Sequence, residues 1–169
     1  MDSLNAAEFS PDGAHRYWLT REVSANEGTL VWCMLNPSTA DATKDDPTIR
    51  KVKGFTRRLG YGRAIVVNVF SWRATKPRDC LANLADASPD DNDRVICVAA
   101  RDLDVVCAWG AHEWAREAAD NTVRSLRHVG ARLHCLGLSV GGMPRHPLML
   151  PYSTELVGYD HKEVRREKA

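Results

Sequence analysis

The stretch Thr29-Leu30-Val31-Trp32-Cys33-Met34-Leu35-Asn36-Pro37-Ser38 decides how this chain folds. From Leu30 to Leu35 it is apolar without alternation, which predicts a strand buried on both faces of a sheet. Asn36-Pro37-Ser38 ends the strand, because all three residue types favour turns. Upstream, Arg16-Tyr17-Trp18-Leu19-Thr20-Arg21 alternates in part and runs into Asn26-Glu27-Gly28. The spacing predicts a hairpin between that segment and the apolar strand.

Downstream, Asp46-Pro47 is a helix start, with Asp as cap and Pro at the first helical position. The helix carries Ile49, Val52, Phe55 and Leu59 inward and stops at Gly60. Ala64 to Phe70 predicts a second buried strand. Ser88-Pro89-Asp90-Asp91-Asn92 opens a helix to about Arg101, Leu103 to Ala108 is a third strand, and Glu113 to His128 is helical. Leu133 to Leu136 is a fourth strand. Strands alternating with helices predict an α/β fold: three-layer αβα with a central, mostly parallel four-stranded sheet and an N-terminal β-hairpin. One domain is expected over 1–160, followed by a charged tail, 161–169.

The 169 residues suit one domain, and the net charge of +1 gives no global attraction to nucleic acid or anionic membrane. Any nucleic-acid site must come from local clustering. No apolar run approaches the roughly 20 residues of a membrane span. Met1-Asp2-Ser3-Leu4-Asn5 lacks a secretory pattern, so a cytoplasmic location is expected. The five cysteines are odd in number and form no CxxC, which predicts free structural thiols and no metal site. No cofactor is expected.

Ligands of such sheets bind outside the carboxyl ends of the strands. That rule points to Asn36 onward, Asn68 onward, Trp109-Gly110, and the loop Gly141-Gly142-Met143-Pro144-Arg145-His146-Pro147. Asn36-Pro37-Ser38 reads either as a plain turn or as a ligand-facing wall. Asn68 lies in an apolar strand, where an amide needs partners; it bonds neighbouring backbone or presents a donor and an acceptor to a ligand. Pro144 and Pro147 restrict the backbone around His146, as a loop that aims one imidazole would. Basic residues crowd Arg50, Lys51, Lys53, Arg57, Arg58 and Arg63, with Arg73, Lys76 and Arg78 beyond Asn68. They form either a solvated face or a phosphate-tracking patch.

The strings MLNPSTAD, DDPTIRK, VVNVFSWRATKP, DND, AWGAH and PRHPLMLP resemble domain-of-unknown-function family 1643, which is bacterial and phage-borne. The resemblance runs from about Phe9 to Tyr152. The order of elements also resembles, more distantly, the uracil-DNA glycosylase superfamily. There, one strand ends in a water-activating motif and a middle strand ends in an Asn that reads the base. A later strand ends in a small-residue turn, and a loop carries His-Pro. Here these would be Met34-Leu35-Asn36-Pro37, Val67-Asn68-Val69, Ala108-Trp109-Gly110-Ala111 and Arg145-His146-Pro147. Asn36 stands where uracil-specific enzymes have Asp, as in the mismatch-specific branch. Ser38 stands where they have a bulky Tyr. The cysteines of the iron–sulfur branch are absent, and Trp72 occupies one of those positions.

The resemblance implies a DNA glycosylase that flips out a modified, 5-substituted pyrimidine and hydrolyses its N-glycosidic bond. It implies catalysis by Asn36, which orients water but cannot take a proton, and by His146, which stabilises the departing base. Asn68, Ser38, Pro37 and Phe70 would line the base pocket, with Phe55, Phe70 or Trp72 stacking on the base. Thr39, Lys51, Arg58, Arg73 and Arg145 would contact double- or single-stranded DNA, and the enzyme would act as a monomer. Defence against phage with modified DNA, or base-excision repair, would be its setting. Two other readings stand beside this one: a nucleoside or nucleotide N-glycosyl enzyme, and a non-catalytic nucleic-acid or nucleotide sensor.

Overall fold

Both edges of the strand that opens the sequence reading are occupied, and this arranges the rest of the molecule. The computed structural model describes residues 5–82 and 91–160. The tail 161–169 and the expected helix start at Ser88, Pro89 and Asp90 lie outside the described residues. The chain runs through β1 (Ala6–Phe9), β2 (Arg16–Glu22), β3 (Thr29–Met34), α1 (Pro47–Arg58) and β4 (Arg63–Asn68). It continues through α2 (Pro77–Ala82), α3 (Asp91–Ala100), β5 (Asp104–Cys107), α4 (Arg116–His128), β6 (Arg132–Cys135) and β7 (Val157–Gly158). Short 3-10 turns precede α4, at Glu113–Ala115, and follow His146, at Pro147–Met149.

The fold is α/β, with a mixed sheet of seven strands in the order β1-β2-β4-β3-β5-β6-β7. Beyond the four expected strands lie β2, expected as a hairpin strand, and two strands that the sequence reading missed, β1 and β7; neither carries a long apolar run, and β7 is only Val157-Gly158 and exposed. β3 pairs in parallel with β4 on one side and β5 on the other, and β6 pairs in parallel with β5. The expected hairpin is also corrected. β2 does not pair with β3, which has no free edge. It pairs antiparallel with β1 and with the outer edge of β4.

Alternation along β3 divides the core. Leu30, Trp32 and Met34 pack with Ile49, Val52 and Phe55 of α1. Val31 and Cys33 face the other way, against Ile96 and Ala100 of α3 and Ala119, Val123 and Leu126 of α4. Helices therefore cover both faces, as an unbroken apolar strand requires. α1 starts where Asp46 Oδ1 accepts from the Ile49 amide at 2.8 Å, with Pro47 in the first turn. All five cysteines are free; burial pushes Cys33 up to about 12 and Cys80 up to about 11. No helix among the described residues is long and apolar enough to cross a membrane.

The α1 layer contains one buried polar link. Trp32 Nε1 donates to Thr56 Oγ1 at 2.9 Å, and that hydroxyl donates to the Val52 carbonyl at 2.8 Å. Thr56→Val leaves the indole N–H buried without a partner, and the expected loss is about 1–3 kcal/mol in denaturant unfolding. Adding Trp32→Phe removes the orphaned donor, so the double variant loses less than the sum of the two single changes.

Candidate active site at the carboxyl edge of the sheet

The carboxyl ends of β3, β4 and β5, the start of α1 and the turn after His146 meet at a cleft of about 300 Å³. Asn36, Ser38, Asn68 and His146, separate in sequence, all line it. Asn36 follows the end of β3. Its Nδ2 donates to the Pro37 carbonyl at 3.0 Å and the Ala74 carbonyl at 2.7 Å, which leaves Oδ1 as its remaining polar atom. An amide pinned in this way offers a fixed acceptor and no proton chemistry of its own.

Asn68 closes β4 and is 1% exposed. Its carbonyl accepts from Asn92 Nδ2 at 3.0 Å, but its own Nδ2 has no partner among the described residues. Two further lining donors share that condition: Trp109 Nε1 and Arg16 Nε. Each orphaned donor costs about 1–3 kcal/mol when buried. Three around one hollow make a wall that suits a ligand rich in acceptors. Arg16 is 2% exposed and donates through Nη1 to the Ala40 carbonyl at 2.8 Å. Burial lowers its pKa to about 10, and the Asp46 carboxylate opposes that shift, so the group stays charged at neutral pH.

His146 sits at the start of the 3-10 turn. Its Nδ1 accepts from the Leu148 amide at 3.3 Å, so the neutral ring carries its proton on Nε2. Burial pushes its pKa down, the neighbouring His112 adds to this, and Asp46 pulls the other way. Burial also lowers His112, which lines the same cleft. The site therefore presents a neutral imidazole as a donor.

The remaining candidate residues are spread wider. Pro37 is buried beneath the loop, where its carbonyl accepts from Asn36 Nδ2 and from the Ala74 amide. Phe70 does not reach the cleft; it is in the core, stacked on Trp114 at 5.5 Å. Phe55 packs against Trp32 and Tyr152. Trp72 stands edge-on to His15 and lines a neighbouring groove with Ser38, Thr39 and Arg73. The aromatic that does line the cleft is Trp109.

Arg73 donates to the Gly13 carbonyl at 3.1 Å and lies over the Phe9 ring. Arg145 is exposed beside His146, and Lys51 lies 4.1 Å over the Tyr152 ring. Arg58 is exposed at the far end of α1, because the helix turns only its first residues to the cleft. Three more members of the basic run are engaged within the protein. Lys53 pairs with Asp45 at 2.7 Å, Arg50 donates to the Asp45 carbonyl and Arg57 to the Val23 carbonyl.

Among the lining residues to which the sequence reading gave no site role are Arg16, Asp46, Trp109 and His112. Asp46 read as a helix cap, which it is, and a cap signal conceals any second role. Trp109 was visible as the end of a strand and part of a ligand-facing turn, but was given no role of its own. Nothing in the sequence marks Arg16, since an alternating strand gives no hint that its first residue is buried. A larger hollow of about 560 Å³ lies between β2 and α3. Tyr17, Trp18, Ile65 and Val98 line it, and none of the orphaned donors belongs to it. Size alone is outweighed by the convergent polar groups of the smaller cleft.

A family model described as "Protein of unknown function (DUF1643)" matches residues 16–148. The chain belongs to this family. The match takes in every cleft residue named above, from Arg16 to Leu148. No curated protein and no solved structure matches. The DUF1643 description assigns no activity, so a functional reading has to come from the cleft.

Both cleft histidines titrate below the ordinary value of 6.5. As pH falls through 6.5 the unfolded chain binds protons that the folded rings refuse, so stability rises with pH in that window and drops on acidification. The thermal midpoint should fall between pH 7 and pH 5. A His112→Gln/His146→Gln variant should show a flatter pH dependence; an unchanged slope would mean that the two rings titrate as exposed histidines.

Proposed function

We propose that this protein is an N-glycosyl hydrolase of the DNA glycosylase type, with a uracil-DNA glycosylase-like arrangement. It would take a flipped-out, 5-substituted pyrimidine from double- or single-stranded DNA. One observation carries this reading. Asn68 holds a buried, unpartnered amide donor in the cleft that also contains the pinned acceptor of Asn36 and the neutral donor of His146. A base offers acceptors to Asn68 through its Watson–Crick edge. Asn36 Oδ1 orients a water below the sugar. Nε2–H of His146 donates to the charge that develops on the leaving base. About 300 Å³ is at the small end for ligand sites, which suits a single base and little more.

Ser38 supports the choice of base. It lines both the cleft and the groove of Thr39, Trp72 and Arg73. A small side chain between two hollows leaves room for a substituent to pass from one to the other. Such a substrate fits defence against modified phage DNA or base-excision repair. A second reading, a free-nucleoside or nucleotide enzyme, draws on a different observation. Arg50, Lys53 and Arg57 are engaged with internal partners, which takes them from the basic run that would track a DNA backbone.

The test is a panel of duplex and single-stranded DNAs with substituted pyrimidines, assayed for abasic sites. His146→Ala and Asn36→Ala should each reduce base release by about a hundredfold or more while circular dichroism stays native. Full activity in both variants would overturn the reading. Ser38→Tyr should abolish release of bases with large 5-substituents and spare unsubstituted ones; equal loss on both would remove Ser38 from specificity. On DNA, log affinity should fall linearly with log salt. A flat salt dependence together with release from free nucleosides would favour the second reading.

A further inference from the structure

The Asn36 motif has a chemical gap, since its amide can hold a water but cannot accept the proton that water loses on attack. Resting on the N-glycosyl hydrolase reading above, we propose that Asp46 is the catalytic carboxylate that fills it. Asp46 lines the same cleft as Asn36 and His146, and among the described residues it is the only acidic side chain that does. Its helix-capping role occupies one oxygen: Oδ1 accepts from the Ile49 amide at 2.8 Å. No protein group among the described residues bonds Oδ2. A residue needed only as a cap would sit equally well at an exposed helix start. This one is 9% exposed, at the mouth of a hollow with three unpartnered buried donors. Two cationic or potentially cationic groups feel its charge, Arg16 and His146. Nearby Asp45 is already committed to Arg21 and Lys53, both at 2.7 Å.

The step balances with water as the co-reactant. The bond between the sugar C1′ and the base nitrogen breaks, and its electron pair leaves with the base, whose charge His146 holds by hydrogen bonding. The sugar carbon gains oxocarbenium character, which the Asp46 carboxylate stabilises by its charge. The water oxygen held by Asn36 bonds to C1′, and its proton passes to Asp46. That proton then returns through solvent to the base anion. The products are a neutral base and a sugar hydroxyl.

Asp46→Asn separates the two roles of the residue. Asn is as good a helix cap as Asp, so the Ile49 amide keeps its partner and the fold is retained. The uncapped Asp46→Ala serves as the structural control, with a lower thermal midpoint. On a DNA that the wild type processes, Asp46→Asn should lower kcat by about a hundredfold or more with little change in KM, while circular dichroism stays native and the melting temperature, lowered by the lost charge beside Arg16, stays above that of Asp46→Ala. Wild-type kcat in Asp46→Asn, alongside a large loss in His146→Ala, would reduce Asp46 to a cap and overturn the proposal while leaving the glycosidase reading intact. No base release by the wild type from any DNA or nucleoside would overturn that reading, and this proposal with it.

Discussion

The parallel pairing of β3 on both of its edges is the constraint on which the structure depends. Cys33 is level with Val67 on one neighbour and with Cys107 on the other. A strand so enclosed has apolar neighbours on each face and spent hydrogen bonds along each edge. Polar function can then appear only where the strands stop. The chain leaves β3 for β4 on one side and later places β5 on the other, so the connections diverge above the carboxyl end of β3. Crevices of that kind are where open α/β sheets bind ligands. The start of α1 opens onto the same crevice, adding the positive end of a helix dipole to a site that already holds a carboxylate.

β2 contributes something the parallel block could not. As an antiparallel strand on the outer edge of β4, it enters the sheet at the cleft end, with its first residue, Arg16, beneath the loop after Asn36. The guanidinium anchors the Ala40 carbonyl and so holds Asn36-Pro37-Ser38 from below. Burying an arginine is expensive, and an incompletely paired one more so. Here the cost is offset by one carbonyl and by the field of Asp46, and one nitrogen remains unsatisfied. One residue thus ties down the loop and brings a positive charge to the cleft.

The buried strands and the ends of the helices were legible because burial on both faces and helix capping leave local marks. Leu30 to Leu35 and Asp46-Pro47 could be assigned without any partner in view. The pairing of the outer strands was not legible, since edge pairing is a property of the whole sheet; β2 was read as a strand, but its partner depends on β4 having a free edge. The same distinction runs through the site. Asn36, Asn68 and His146 stood out because each is an odd residue in its local setting. Phe70 looked equally suitable near Asn68, yet two positions further along the chain its ring lies in the core against Trp114. Asp46 was hidden behind its role as a helix cap, and Arg16 because nothing in its local sequence marks it as buried.

The two edges of the sheet treat their polar groups in opposite ways. At the amino end of β5, Asp104 accepts from Arg132 and from Tyr61 at 2.9 Å, with His134 Nε2 also at 2.9 Å. Those contacts hold its carboxyl well below the usual carboxylate range. There the charge of Asp104 is matched within the protein, which is what stability asks. At the carboxyl end, an amide, an indole and a guanidinium keep donors buried and unmatched. A fold that satisfies one edge so fully has no general difficulty in pairing its polar atoms. The deficit at the other edge is therefore local, and it falls where the topology opens a crevice. Unmatched donors of this kind are costly to the free protein and useful to a bound one, because a ligand that supplies acceptors recovers in binding what folding left unmade.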